Sequence, residues 1–346
     1  MGIRPGLSLT GEAERDVDAV AAWLEAADPG PAVIATSGSS GTPKQVVLSR
    51  EAVLASAAAS AARLGGSGPW LLALSSSYVA GLNVVVRSLV AGHRPAVLGD
   101  RAPHEAAVAG GYVSVVPTQL HRWLGDPREA STLAGLDTVL VGGGPVDAAL
   151  TDRARQAGVR LVATYGMAET CGGCVYDGRP LDGVGLALAA DGRIRLAGPM
   201  LFDGYLDDPE ATAEVLVDGW FHTSDAGRLD DDGRMWVLGR VDDIVVSGGV
   251  NVPAAAVAAR LRAHPRVDAA EVVGLPDAEW GNRVVAVLSL VEPVETLTLD
   301  DARAWVAERH PRAWAPREVL VVRALPMLDN GKVDRLAVRA LAGGRG

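Results

Sequence analysis

The stretch PAVIATSGSSGTPKQVVLSREAVLASAAASAARL, residues 31–64, sets the architecture. Its opening, 31–36, is short and apolar, as a buried strand requires, and it runs into a loop built almost wholly of Gly, Ser and Thr. From residue 49 the pattern turns helical: Ser49 suits an N-cap, Glu51 falls in the first turn, and Gly65 stops the run. Outward from this unit, strands are predicted at 70–75, 96–99, 112–116, 138–141 and 160–164. Helices fall between them, around 82–89, 118–124 and 147–157. That alternation argues an α/β layer with largely parallel strands.

From residue 177 the texture changes to short β segments and turns such as DGRIRLAG, DGWFHTSD and DDGRMWVLGR, a smaller, mostly β subdomain. After Arg240 a compact αβ unit follows, with helix 253–263, strands 270–274 and 284–291, helix 300–309, strand 318–323 and helix 333–341. The fold expected is therefore α/β: a large N-terminal domain of α/β layers plus a small β subdomain, 1–241, and a smaller C-terminal α+β domain, 242–346. The 346 residues are ample for two hydrophobic cores.

Composition excludes several classes. With 49% hydrophobic and 21% charged residues the chain is neither fibrous nor disordered. Lys+Arg 32 against Asp+Glu 42, with no basic patch, opposes nucleic-acid binding. The least polar stretch, 64–86, carries too many Gly, Pro, Ser and Asn residues for a bilayer span. The first residues, MGIRPGLSLTGEAERD, offer no apolar core for a secretory signal. Two cysteines cannot build a disulfide framework, so a reducing cytoplasm is expected, with no membrane or nucleic-acid partner; monomer and homodimer both stay open.

Of the 32 Lys and Arg residues only Lys44 and Lys332 are lysine. In a sequence that otherwise uses arginine wherever positive charge suffices, a retained lysine points to a site needing a compact ammonium on a flexible stem. Lys44 closes the loop Thr36, Ser37, Gly38, Ser39, Ser40, Gly41, Thr42, Pro43. Glycines let the backbone approach an anion, hydroxyls add donors and the lysine adds charge, so a polyphosphate is the natural guest. It is not a Walker A loop, since Pro43 precedes the lysine. A flexible linker is the bland alternative.

The order of motifs resembles the adenylate-forming superfamily of acyl- and aryl-CoA synthetases and nonribosomal adenylation domains. TSGSSGTPK at 36–44 is similar to its phosphate loop, YGMAET at 165–170 to its YGxTE motif, and TSDAG at 223–227 to its TGD-type motif. GRVDDI at 239–244 with SGGVN at 247–251 is similar to its hinge segment, and NGKVD at 330–334 to its C-terminal lysine motif. Both lysines fall inside these motifs. The short run before the phosphate loop resembles the bacterial 2-succinylbenzoate-CoA ligases of menaquinone synthesis.

The resemblance implies ATP, Mg²⁺ and coenzyme A as cofactors and co-substrates, with a small carboxylic acid as substrate. Lys332 would bridge the carboxylate and α-phosphate, and Glu169 would hold Mg²⁺. Asp225, aided by Arg240, would bind the ribose, and Gly143, Gly144, Pro145, Tyr165, Gly166 and Thr170 would line the nucleotide site. Asp242 matches the hinge about which a mobile C-terminal domain turns, presenting Ser247, Gly248 and Gly249 to the CoA arm; read as residues alone, the two glycines could equally form a β-turn. Taken singly, Glu169 and Asp225 could be cap or turn carboxylates. Ala168 stands where the family usually has Thr.

For the acid, Tyr78, Arg87, Met167 and Ala168 are the candidates. Arg87 is the sole cation in the apolar run 77–89, so it should meet either a second carboxylate on the substrate or a structural acidic partner. Cys171 and Cys174 have redox-motif spacing. The alternative, reduced packing residues, asks for less.

Overall fold

A computed structural model describes residues 6–36, 44–146, 148–291, 296–327 and 333–344. The chain divides into two compact units. One comprises Met1–Ala189, Ile194–Thr223 and Leu229–Met235, and the other Ala190–Arg193, Ser224–Arg228 and Trp236–Gly346.

The first unit is built on a seven-stranded sheet ordered Ala96–Val97, Trp70–Leu72, Tyr112–Val115, Thr138–Val141, Leu161–Met167, Gly172–Tyr176, Arg179–Pro180. The first five strands run parallel and the last two antiparallel. Period-2 alternation places Trp70, Leu72, Tyr112 and Leu140 in one core, with helices Ala13–Glu25, Arg50–Leu64 and Val79–Val90. Leu71, Val113, Val115, Val139 and Val141 enter the other, with helices Pro117–Trp123, Pro127–Ala134 and Ala148–Gln156. This three-layer arrangement buries a parallel sheet on both faces. In chain order the parallel strands lie 2-1-3-4-5, so their order reverses between Trp70–Leu72 and Tyr112–Val115, and the crevice beyond their carboxyl ends is where such sheets receive ligands.

The helix after the glycine-rich loop is capped as its sequence asks. Ser49 accepts from the Ala52 N–H at 3.3 Å, and Gly65 closes it in the left-handed conformation. Several elements lie outside those expected, among them helix Pro127–Ala134 and strand Gly172–Tyr176, and two bear on the site. Helix Ala13–Glu25 is fixed at its start by Asp16, which is buried and accepts from Thr10 N, Thr10 Oγ1, Gly11 N and Ser76 Oγ at 2.6–2.9 Å. Burial alone would raise this carboxyl, but the four donors outweigh it and hold its pKa below the usual value. Strand Gln45–Leu48 stands between the glycine-rich loop and its helix, and four residues are too few to show a period. It pairs antiparallel with Ala32–Ala35 on one side and Gly204–Tyr205 on the other. The predicted strand 160–164 runs on to Met167. Gly166, a breaker on paper, is admitted there because its missing side chain leaves room for Gly172. Further strands follow in the order Gly185–Leu188, Arg193–Ala197, Trp220–Leu229, Leu216–Val217.

In the second unit, Val267–Asp277 and Gly281–Leu290 form an antiparallel pair, with Glu318–Val321 added in parallel. Ala270, Val272, Val284, Ala286 and Leu288 face helices Ala254–Arg262 and Leu299–Ala307. Val273, Leu275, Val285, Val287 and Leu320 face the other way, where helix Arg335–Gly343 contributes Val338 and Ala342. The α+β character expected for the C-terminal part follows from this two-sided sheet. Among the described residues no helix is long and apolar enough to cross a membrane.

Candidate active site

Ser37 to Thr42 and Lys332 lie outside the described residues, so the site is built from what flanks them. Thr36 and Lys44 face each other across the base of a hairpin: Thr36 N donates to the Lys44 carbonyl at 2.8 Å, and Lys44 N to Thr36 Oγ1 at 3.2 Å. The glycine-rich segment thus joins two antiparallel strands.

The Lys44 ammonium stands 4.3 Å from the centre of the Tyr205 ring, and the Tyr205 hydroxyl donates to Glu169 Oε1 at 2.9 Å. Glu169 sits in the one-turn 3₁₀ helix Ala168–Thr170 that ends strand Leu161–Met167. Thr170, fully buried, shapes this turn. Its Oγ1 accepts from Met167 N at 2.9 Å and donates to backbone oxygens of Met167 and Gly172, so its hydroxyl is spent within the chain. Tyr165 and Gly166 lie on the same strand. Gly143, Gly144 and Pro145 are exposed just after strand Thr138–Val141, where Gly142 has no room for a side chain beside Thr164. These groups therefore share the carboxyl-terminal edge of the parallel sheet.

Among the described residues no cluster of three or more His, Cys, Asp or Glu could hold a metal ion. A single carboxylate still fits Mg²⁺, which binds through one or two carboxylates plus substrate phosphates and keeps several waters. Glu169 has one oxygen tied to Tyr205 and, among the described residues, nothing on the other.

Tyr78, half-exposed, precedes helix Val79–Val90 near the loop Ser75–Ser77, while Met167 and Ala168 lead into the Glu169 turn. Arg87 is elsewhere. It is buried, with its guanidinium carbon 5.3 Å from the Trp70 ring centre, and the next residue, Ser88, accepts from Trp70 N at 3.3 Å. That is the amino end of the strand, opposite the edge just described. No acidic side chain among the described residues pairs with Arg87, and its Nε lacks a hydrogen bond. An indole face meets this cation, and the structural acid that was one of its two expected partners is not found among the described residues.

Cys171 and Cys174 are free and buried. Burial pushes both thiols up, Cys174 to about 12, the reverse of what dithiol redox chemistry needs. The Cys171 carbonyl accepts from Ser56 Oγ at 3.0 Å and Asn83 Nδ2 at 2.7 Å, marking a structural corner. A thiol reagent at neutral pH should therefore label neither cysteine in the folded protein and both after denaturation; prompt labelling of the native state would refute the inert reading.

In the second unit, Ser247 is buried and Gly248–Gly249 form the two-residue turn between strands Ile244–Ser247 and Val250–Pro253, with φ of 56° and 77°. Such a type I′ turn requires residues at ease with positive φ. A side chain at Gly248 would also strike the Trp280 ring, on whose face the Arg317 guanidinium rests 3.3 Å from the centre. Asp225 and Arg240 belong to this unit, as does Asp242 in the turn Val241–Asp243. Asp243 pairs with Arg335, which also reaches Glu271 at 3.0 Å. Met327 and Val333, on either side of the Lys332 segment, form an antiparallel bridge.

Residues 10–206 match the family described as AMP-binding enzyme, and residues 256–332 match the AMP-binding enzyme C-terminal domain. The chain belongs to the AMP-binding enzyme family. It is 45% identical over 326 residues to a probable 2-succinylbenzoate--CoA ligase of Mycobacterium tuberculosis, covering 90% of this chain and 84% of that protein. Among solved structures it is similar to o-succinylbenzoate CoA synthetase (MenE) from Bacillus subtilis in complex with the acyl-adenylate intermediate OSB-AMP. The TM-score is 0.77 and the identity 28%, over 89% of this chain and 68% of that one. An amide bond synthetase, McbA from Marinactinospora thermotolerans, is similar at TM-score 0.79 and 29% identity, over 90% and 69% of the two chains. The resemblance carried by the five motifs is thereby established. Tyr205 escaped the sequence reading, because a Gly-Tyr pair in a turn-rich region carries no periodic signal.

Proposed function

We propose that this AMP-binding enzyme is an ATP-dependent acid:CoA ligase working through an acyl-adenylate, and that it converts 2-succinylbenzoate to 2-succinylbenzoyl-CoA in the cytoplasm, in menaquinone biosynthesis. The observation that carries the chemistry is the juxtaposition of Lys44 and Glu169 about Tyr205, a cation and a carboxylate at the carboxyl-terminal edge of a parallel sheet. The choice of acid is supported by the similarity to the probable 2-succinylbenzoate--CoA ligase of M. tuberculosis.

In the first half-reaction a carboxylate oxygen bonds to the α-phosphorus of ATP and pyrophosphate leaves; in the second a thiol sulfur bonds to the acyl carbon and AMP leaves. The first step sets negative charge against negative charge, so catalysis consists of positioning and cationic stabilisation. Lys44 and the hydroxyl-rich loop 36–42 bind the phosphates, and Lys332 stabilises charge between the acid and the α-phosphate. Bound Mg²⁺ would neutralise phosphate charge beside Glu169. Tyr165, Gly166 and Gly143 to Pro145 are assigned to the nucleotide base, Asp225 and Arg240 to the ribose. The acid is assigned to Tyr78, Met167 and Ala168, with Arg87 set apart from Tyr78 by about two and a half helical turns. The domain boundary is placed at 241/242 with Asp242 as hinge, and the turn Gly248–Gly249 is assigned to the CoA arm, where small residues let it pass close to backbone.

The test is ATP-dependent pyrophosphate release and CoA-thioester formation across a panel of acids. Release with 2-succinylbenzoate, and a thioester of the corresponding mass, is the expected outcome. Activity with benzoate but not 2-succinylbenzoate would leave an acid:CoA ligase of other specificity. Adenylation without thioester, but with acyl transfer to a carrier protein, would make the chain a stand-alone loading enzyme.

A further inference from the structure

We propose that Tyr205 is a positioning residue for nucleotide activation, its hydroxyl fixing the Glu169 carboxylate for the divalent cation that ATP carries and its ring holding the Lys44 ammonium alongside. The inference rests on the adenylation reading and adds to it a residue outside the motifs that suggested that reading.

An ammonium and a carboxylate placed side by side collapse into an ion pair, which would quench the charges that phosphate and metal are to meet. Tyr205 stands between them. Its hydroxyl donates to Glu169 Oε1 at 2.9 Å, and its face lies 4.3 Å from Lys44 Nζ. A carboxylate can only accept, so the phenol is the donor of this hydrogen bond. With one oxygen committed to the phenol, the carboxylate offers the other in a set direction, the arrangement that outer-shell partners impose on metal ligands.

The chain around Tyr205 is fastened to both halves of the site. Phe202 N donates to the Glu169 carbonyl at 3.0 Å, Asp203 N to the Val47 carbonyl at 2.9 Å, and Leu206 N to the Gln45 carbonyl at 2.8 Å. Tyr205 itself pairs with Val46, two residues from Lys44, and its N–H donates to Thr212 Oγ1 at 2.9 Å. The Phe202 ring, edge-on at 5.1 Å, braces the tyrosine. Segment 202–206 is thus a strap joining the phosphate hairpin to the metal-facing turn.

The experiment follows Mn²⁺ uptake by electron paramagnetic resonance in the presence of a non-hydrolysable ATP analogue, with metal-free analogue binding measured separately. Tyr205→Phe keeps the ring and should weaken Mn²⁺ uptake about ten-fold while leaving metal-free analogue affinity unchanged. Tyr205→Leu should in addition weaken metal-free analogue binding by about three-fold, through loss of the cation–π contact. Wild-type Mn²⁺ affinity in Tyr205→Phe, or equal losses with and without metal, would overturn the proposal. Glu169→Gln separates the two levels. If it weakens Mn²⁺ uptake and Tyr205→Phe does not, only the role of Tyr205 falls; if it leaves uptake intact, the assignment of Glu169 falls and Tyr205 with it.

Discussion

Lys332→Ala is expected to lower ATP–pyrophosphate exchange by on the order of 10³-fold or more, while ATP affinity changes by no more than a few-fold. The attack on the α-phosphorus concentrates charge between two anions, and an ammonium placed there would act on the transition state rather than on bound ATP. Lys332→Arg should recover little. A planar guanidinium matches a carboxylate or a phosphate in bidentate fashion, but it cannot serve as a point charge between the two. Thioester formation from preformed acyl-adenylate should be much less affected by either change. Exchange at the wild-type rate in Lys332→Ala would remove the residue from its assigned role.

The second large effect is expected at Gly166. A methyl group there would fall onto the Gly172 carbonyl oxygen and lie 2.7 Å from the Gly173 Cα. Both are backbone, held by the pairing of Gly166 with Gly173 and of Met167 with Gly172, so no rotamer change can relieve the clash. Gly166→Ala should therefore cost about 3 kcal/mol, the upper range for overpacking, and lower the melting temperature by roughly 10 °C. Because Glu169 follows three residues later, in the turn that ends this strand, exchange should fall at least about a hundred-fold as well. Calorimetry and exchange kinetics on one preparation check both; a variant that melts and turns over like the wild type would refute the packing account.

The sequence was readable where one local rule settles the outcome. Ser49 and Gly65 cap their helix as their chemistry demands, and the alternation of short apolar strands with helical segments predicts the α/β layers and the largely parallel sheet. It was unreadable where the reason lies far along the chain. The strand expected at 160–164 stops short of Gly166, whose place in it is set by Gly172, and the helix that Asp16 fixes went unseen because its donor Ser76 lies 60 residues away. Arg87 illustrates the same limit. Its isolation in an apolar run pointed to an anion, whereas the fold sets it over the Trp70 ring, a contact that no local pattern announces. Tyr205 is the clearest case, since its meaning depends on Lys44 and Glu169, 161 and 36 residues away in chain order.

The four-residue strand Gln45–Leu48 follows directly on Lys44 and carries the partner of Tyr205 at its second position. Side chains alternate along a strand, so losing or gaining one residue there would turn every following side chain to the opposite face and dislodge both groups together. A change of residue type at constant length should accordingly be tolerated far better within 45–48 than a change of length.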